Sequence, residues 1–250
     1  MFKGDLINTI TATQILGVSR PTFDKYRSEF KLSTFRVGRT LFFSKLEILE
    51  QVYTKTFPLV EKVEFCFDKK NDFDQLKIDD TSYDLRRISL MDGHGAIVFL
   101  CHLVSRVRME NCSIHLIFDE TNTMLKSFNF FGPIRMHLNS KIFWNDSRLE
   151  KLTGPDLSEL IKLPITKLGF VGAQLKITDD LTAQLLRQGY SEDICSYVGW
   201  AIGELSDNAS THAGVYPCFI QLTQFCEDNN FLLFTIGDVG KGIPASLPYK

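Results

Sequence analysis

Residues 203–214 read GELSDNASTHAG, and the face this stretch presents decides how the last third of the chain is read. With YVGWAI (197–202) restored in front, the spacing predicts a helix. At about 100° per residue, Val198, Ile202, Leu205 and Ala209 fall on one narrow stripe, and Glu204, Asp207, Asn208 and Thr211 on the opposite half. The first set is expected in a core and the second at work. Exposed helices usually spend their polar face on Lys/Glu pairs, yet no Lys or Arg occurs from 188 to 240. Acids and amides without cations point to a divalent metal or another external counter-charge.

Two strands are expected next, CFIQLTQF (218–225) and FLLFTIGD (231–238). The turn-forming CEDNN (226–230) between them predicts an antiparallel pair. The second strand runs into DVGKGIP (238–244), where Gly-x-Gly lets backbone approach a flat ligand and the Asp238 carboxylate can accept from an exocyclic amine.

An E-x-x-D-N-A helix followed by a hairpin and D-x-G-x-G-I resembles the N-box and first glycine box of the GHKL ATPase superfamily. That superfamily holds gyrase, the ninety-kilodalton heat-shock chaperone, mismatch-repair ATPases, histidine kinases and anti-sigma serine kinases. The resemblance implies ATP and Mg2+ as cofactors, with Asn208 as metal ligand. It implies that Asp238 binds the adenine amino group, that Gly240 and Gly242 shape the pocket wall, and that Glu204 is the general base. His212 matches a position often basic in the kinases and either touches phosphate or only caps the helix end before Gly214. None of the five histidines (His94, His102, His115, His137, His212) precedes Glu-x-x-x-Pro, so a self-phosphorylating sensor kinase is not expected. The family's lid, second glycine box and further strands lie C-terminal to the first glycine box, and Lys250 comes eight residues after Gly242. Nucleotide binding by this chain alone is therefore expected to be weak or absent, the sequence being a fragment of a longer protein or a degenerate relative.

At the other end, TATQILGVSRPTFDKYRSEF (11–30) places a Gly17-Val18 turn between two short helices. Ser19 stands as N-cap, and Pro21 and Thr22 fall in the first turn of the second helix. STFRVGRTLFFSKLEILEQV (33–52) then gives two short β runs around Gly38 and a capping box, Ser44 with Glu47. Residues 10–52 resemble the excisionase/MerR-like winged helix-turn-helix family. In such a unit the second helix faces the major groove of double-stranded DNA, which assigns base and phosphate contacts to Ser19, Arg20, Thr22 and Lys25. The resemblance adds Arg36 and Arg39 on the wing. A helical module that only docks other proteins is the alternative. Residues 1–50 carry eight Lys/Arg against five Asp/Glu, a balance of +3, and the remainder 20 against 25, a balance of −5. So modest a charge predicts weak, salt-sensitive binding by one copy and favours a homodimer.

Between the two, after Pro58 in a linker, strand-like and helical runs alternate, which predicts a mostly parallel sheet with packed helices. The helix over 94–108 is apolar nearly all round and should be buried. Residues 60–140 resemble the STAS domain of anti-anti-sigma factors, through DLRRISLMDGHGAIVFLCHL and MLKSFNFFG. That family carries an acceptor serine before its long helix, whereas this chain reads Asp92-Gly93-His94-Gly95, so a scaffold that binds a protein partner is expected rather than a phosphoswitch. His94 is read as a surface cap of that helix.

The 250 residues, 44% hydrophobic and 23% charged, exclude disorder. No apolar run suits a membrane span, no signal-peptide layout opens the sequence, and six scattered cysteines without a CxxC pair read as reduced, mostly buried thiols. A cytoplasmic location follows as the expectation. The expected fold is α/β multidomain: a winged helix-turn-helix over 1–56, a STAS-like α/β domain over 57–150, and a partial GHKL (Bergerat-type) α/β sandwich over 151–250. The expected function is a DNA-binding transcription regulator whose ATP-binding module modulates DNA or partner binding. Alternatives are an ATPase or serine/threonine kinase of the anti-sigma type using Glu204, and an interaction protein without catalysis.

Overall fold

The structure, a computed structural model, describes residues 5–57, 62–66, 71–137, 141–157, 159–168, 171–212, 218–225 and 231–239. Pro58, Cys226, Gly240 and Gly242 lie outside them.

Asn8 closes a short strand β1 (Leu6–Asn8) and caps α1 (Thr9–Leu16), its side chain accepting from the Thr11 amide at 3.0 Å. Gly17 stops α1 by taking a left-handed φ of 60°, which side-chain-bearing residues resist. Ser19 then caps α2 (Arg20–Glu29), with Pro21 in the first turn, where no backbone donor is missed. The wing is the antiparallel pair β2 (Thr34–Val37) and β3 (Thr40–Ser44), turned at Gly38 with φ 58°. Strand β1, which carries no alternating pattern and was not foreseen, adds to the other edge of β3.

A helical rod follows: α3 (Lys45–Glu47), a wider π-type turn over Ile48–Tyr53, and α4 (Thr54–Thr56). The expected capping box is rearranged. Ser44 Oγ accepts from the Glu47 amide at 3.3 Å, but the Glu47 carboxylate accepts from the Ser33 amide and hydroxyl at 3.1 and 3.2 Å, tying the segment after α2 to the rod. Ala12, Leu16, Phe23, Phe43, Ile48 and Val52 form the core of this head, with Phe23 edge-on to Phe43 at 5.1 Å.

In the middle of the chain β4 (Val63–Phe65) pairs in parallel with β7 (Ile88–Met91). A second sheet has the order β5-β6-β8-β9, from Lys77–Asp79, Ser82–Asp84, Ile114–Ile117 and Ile142–Phe143. Its β5–β6 pair is antiparallel and the other two are parallel. The expected parallel pairing thus holds for most of these strands, but they are divided between two small sheets. The long helix α5 (Gly93–Met109) is largely buried, as its apolar circumference demands. Its N-cap is Asp92, whose carboxylate accepts from the Gly95 amide at 2.8 Å, so capping falls to Asp92 and not to His94. Three short helices, α6 (Thr123–Ser127), α7 (Phe131–His137) and α8 (Asp146–Lys151), complete this part.

The C-terminal sheet has the order β10-β11-β12, from Ile161–Leu168, Cys218–Phe225 and Phe231–Asp238. β11 and β12 form the expected antiparallel pair in unbroken register from Cys218↔Asp238 to Phe225↔Phe231. β10 is an edge strand whose register slips on both sides of Leu163, next to Pro164, which cannot donate to a ladder. Helices α9 (Val171–Arg187) and α10 (Glu192–His212) cover one face, packing Leu181, Leu185, Cys195 and Ile202 against Leu222. Helix α5 covers the other. A Cβ at Gly237 would lie 2.5 Å from Ile97 Cγ2 and 2.8 Å from Cys101 Sγ, so β12 approaches α5 as closely as backbone allows. One buried cluster therefore extends from Val63 through α5 to Phe219 and Val239.

The head docks on the middle sheet through its rod. Leu46 and Leu49 bury against Ile117. The Lys45 ammonium meets Asp79 at 3.0 Å and Thr81 Oγ1 at 2.8 Å. Beside this pair, His115 is fully buried and its Nε2 accepts from the Asp5 amide at 3.4 Å. Burial, reinforced by the Lys45 charge against the opposing pull of Asp5 and Asp79, lowers the His115 pKa to about 4.

Because the folded state disfavours imidazolium, this contribution is intact above the unfolded pKa near 6.5 and is lost as pH falls from there towards 4, at about 1.4 kcal/mol per pH unit. Burial also pushes against ionisation of Asp79, but Lys45, the Thr81 amide and Ser82 outweigh it and lower its pKa below 3.8, so its loss falls in a more acidic window. Melting temperatures of wild type and His115→Gln between pH 4 and pH 7 separate the two; the variant should have a shallower slope between pH 6.5 and 4, what remains including the part of His102, whose pKa burial also lowers. Identical slopes would remove His115 from the acid response. Among the described residues, no helix is long and apolar enough to cross a membrane.

Candidate nucleic-acid interface and nucleotide site

With the rod turned to the body, the start of α2 and the wing are left facing outward. Ser19, Arg20, Lys25, Arg36 and Arg39 are exposed and Thr22 is half-buried. The two hydroxyls among them are engaged locally: Ser19 Oγ and Thr22 Oγ1 are 2.9 Å apart, and the Thr22 amide donates to Ser19 Oγ at 3.4 Å. Ser19 and Thr22 thus build the cap, and the long cationic side chains of Arg20 and Lys25 are the groups with reach. Arg27, also on α2, is held by Asp24 at 3.2 Å, and Lys45 is committed to Asp79. Arg36 on β2 and Arg39 in the turn flank exposed Val37, so the wing offers charge next to apolar surface.

At the other end of the chain α10 divides into two faces, displaced from the expected division. Cys195, Ile202 and Ser206 are buried, while Leu205 is 38% exposed; Ser206, at 5%, holds the inward position expected for Leu205. The cause is angular, since Ser206 lies closer than Leu205 to the direction shared by Cys195 and Ile202. Glu204 and Asn208 are exposed, on the half assigned to them. Ala209 packs with Cys218, Ile220 and Ile236.

Sheet parity connects the two ends of this unit. Leu232, Phe234 and Ile236 pack towards α9 and α10, whereas Gly237 abuts α5, so Asp238 falls on the α10 side of the sheet. Asp238 also stands directly across from Cys218, a member of the cluster that receives Ala209. Asn208 and Asp238 therefore adjoin the same end of one apolar cluster, from helix and sheet respectively. Asp238 is exposed. His212 ends α10, but its side chain, like Gly240 and Gly242, lies outside the described residues.

The thiols near this end are unreactive by environment. Burial, with Cys218 and Asp238 adding negative charge, pushes the Cys101 pKa to about 12, and burial with Asp238 does the same for Cys218. Neither serves as a nucleophile near neutral pH. Cys66, Cys195 and Cys218 are buried, as expected, and Cys101 and Cys112 are partly so; none of these five takes part in a disulfide. Among the described residues, no group of three or more His, Cys, Asp or Glu side chains is placed to hold a metal ion. The exposed Asn208 carboxamide offers a hard oxygen of the kind that suits Mg2+.

Comparison with protein-family models, with curated proteins and with solved structures gives no match. Sequence reasoning missed the edge strands β1 and β10, the contact of α5 with the C-terminal sheet, and the docking of the head on the body. For the last, Lys45, Asp79, Arg86 and Glu50 carry no spacing signal, because their partners lie tens of residues away.

Proposed function

We propose that the chain is a cytoplasmic DNA-binding regulatory protein whose C-terminal unit senses magnesium-ATP. The observation that carries this reading is the orientation of the head: its rod is spent on the body, and the start of α2 and the wing, with Arg20, Lys25, Arg36 and Arg39, face solvent. This is the arrangement in which one helix enters a major groove and a wing follows the backbone. The nucleotide reading is supported by Ala209, next to Asn208, packing with Cys218, whose strand partner is Asp238, and by Glu204 being exposed one turn before Asn208. In it Asp238 accepts from the adenine amino group and Asn208 holds the metal that neutralises the phosphates. Exposed Glu204 also supports the second reading, in which the same site transfers phosphate to water or to a hydroxyl of a partner protein.

Electrophoretic shift of duplex DNA by the full chain tests both parts. If four cations each neutralise a phosphate, raising salt from about 50 to 200 mM should weaken binding roughly 100-fold. Arg20→Ala/Lys25→Ala should reduce the salt slope by about 2 and remove the shift at moderate salt. Magnesium-ATP at millimolar concentration, chosen for the weak binding expected of this chain, should move the wild-type midpoint and leave that of Asp238→Asn unchanged. An unaltered shift in the Arg20/Lys25 variant removes the DNA reading; a midpoint indifferent to ATP in wild type removes the nucleotide reading alone.

A further inference from the structure

The outward face of α10 carries an aromatic pair that the core leaves out. Cys195 and Ile202 bury one side of this helix, and Asp193, Tyr197, Trp200 and Glu204, spaced by four, three and four residues, share the opposite stripe. Tyr197 is 71% exposed and Trp200 68%, although large rings usually surrender most of their surface. Ile194, three residues before Tyr197, is exposed as well. On the neighbouring helix Gln174 Nε2 donates to the Gly203 carbonyl at 3.3 Å, and the next residue, Leu175, is again an exposed apolar side chain. One exposed ring would need no explanation; four large apolar side chains on two adjoining helices mark a surface built for contact.

Charge restricts what can cover it. The sequence has no Lys or Arg from 188 to 240, and α10 itself supplies Glu192, Asp193, Glu204 and Asp207. Such a field repels nucleic acid and anionic lipid. Two α10 helices turned face to face would set acid against acid with no cation from either. The face suits a partner that joins apolar surface to positive charge, and the wing has that composition. No Asp or Glu occurs between residues 30 and 46, Phe35 and Val37 are exposed, and exposed Arg36 and Arg39 bracket Val37. A chain does not cover its own α10 in this way, because the rod holds the head on the middle sheet while wing and α10 both stay exposed.

We propose that the outward face of α10 receives the wing of a second copy of this chain, head to tail. The Tyr197 and Trp200 rings take the Phe35 and Val37 side chains and stack under the guanidinium groups of Arg36 and Arg39, whose charge Asp193 and Glu204 answer from either end of the stripe. The contact is heterologous, so each copy keeps one face open and assembly continues past the dimer. A wing tip a few residues wide falls short of the roughly 1,200–2,000 Å2 of a stable interface, so the contact is weak and forms at submillimolar protein. Docked wings are withdrawn from DNA, and on the DNA reading assembly and duplex binding compete. The contact itself does not rest on that reading.

Sedimentation of the full chain without DNA or nucleotide tests it, and failure there leaves the DNA reading untouched. At low salt the weight-average mass of wild type should rise with concentration past that of a dimer, and added salt should lower it. Tyr197→Ala/Trp200→Ala and Arg36→Glu/Arg39→Glu change only exposed side chains, should keep the wild-type circular dichroism, and should each stay monomeric over the same range. Mixed in equal amounts, the two variants should form one-to-one dimers and nothing larger, since each supplies the face that the other lacks. Asp193→Lys, a single exposed change, should weaken wild-type association about tenfold. Wild type that stays monomeric throughout would overturn the proposal and leave the face to a different basic protein. Association that persists in the Arg36/Arg39 variant would overturn it in favour of a contact without the wing, and a mixture that stays monomeric would overturn the head-to-tail pairing.

Discussion

Replacing Arg86 by alanine is expected to cost about 3–5 kcal/mol of folding stability, among the largest effects available to one side chain in this chain. Arg86 Nε and Nη2 donate to the two oxygens of Asp84 at 2.8 and 2.7 Å, a bidentate pair in which both side chains are nearly inaccessible. Nη1 continues to the Thr54 carbonyl of the head at 3.2 Å, and the guanidinium lies 5.6 Å from the centre of the Tyr53 ring. The cost of the substitution comes less from the lost attraction than from what remains: an Asp84 carboxylate, 2% exposed, with no cation to balance it. Urea titration monitored by circular dichroism would show the midpoint falling, and Arg86→Met/Asp84→Leu, which removes both charges, should recover much of the loss. If Arg86→Ala alone matches wild type, the pair is not the anchor its geometry indicates. Since Arg86 also holds Thr54, the same variant should loosen the head.

Gly95→Ala is the second large effect, and it arises from steric contact alone. A Cβ at position 95 would stand 2.3 Å from the Phe65 carbonyl oxygen and 2.8 Å from its carbon, and that neighbour is strand backbone rather than the movable end of a side chain. The same carbonyl accepts from the Asp92 amide at 3.1 Å, and the Asp92 carboxylate caps α5 on the Gly95 amide at 2.8 Å. A single added methyl therefore pushes apart a strand end, a helix start and the cap between them. The expected loss is about 3 kcal/mol, the upper part of the range for overpacking, although alanine has the better helix propensity. Gly203→Ala on α10, where a Cβ meets nothing within 4 Å, should by contrast be neutral or mildly stabilising. Thermal melts of the two variants side by side would decide it; equal melting temperatures would mean that the Phe65 segment yields without cost.

What could be read from residues alone was local. Gly17, Ser19 and Pro21 dictate a helix, a turn and a second helix through their own backbone preferences, and the structure has all three. The apolar circumference of α5 announced its burial, and the runs either side of CEDNN announced a hairpin. Elements that exist only by tertiary pairing left no such mark: β1 is three residues long and β10 carries a proline and two register slips. The faces of α10 show the limit of angular arithmetic, since a shift of one residue exchanged Leu205 for Ser206 on the inner side. For the proposed nucleotide site, the residues were named from a motif, and the parity that sets Asp238 on the α10 side was not legible, because parity depends on which face α5 occupies.

That position of α5 limits how the chain can be divided. A helix flanked by sheets from two stretches of sequence acts as a shared keel, and neither hull is watertight without it. A gene fragment ending near residue 150 would bare the flank of Ile97 and Cys101 that Gly237 now covers, and a fragment beginning there would leave Phe219 facing water. Shuffling these halves into other proteins would require a substitute for that flank.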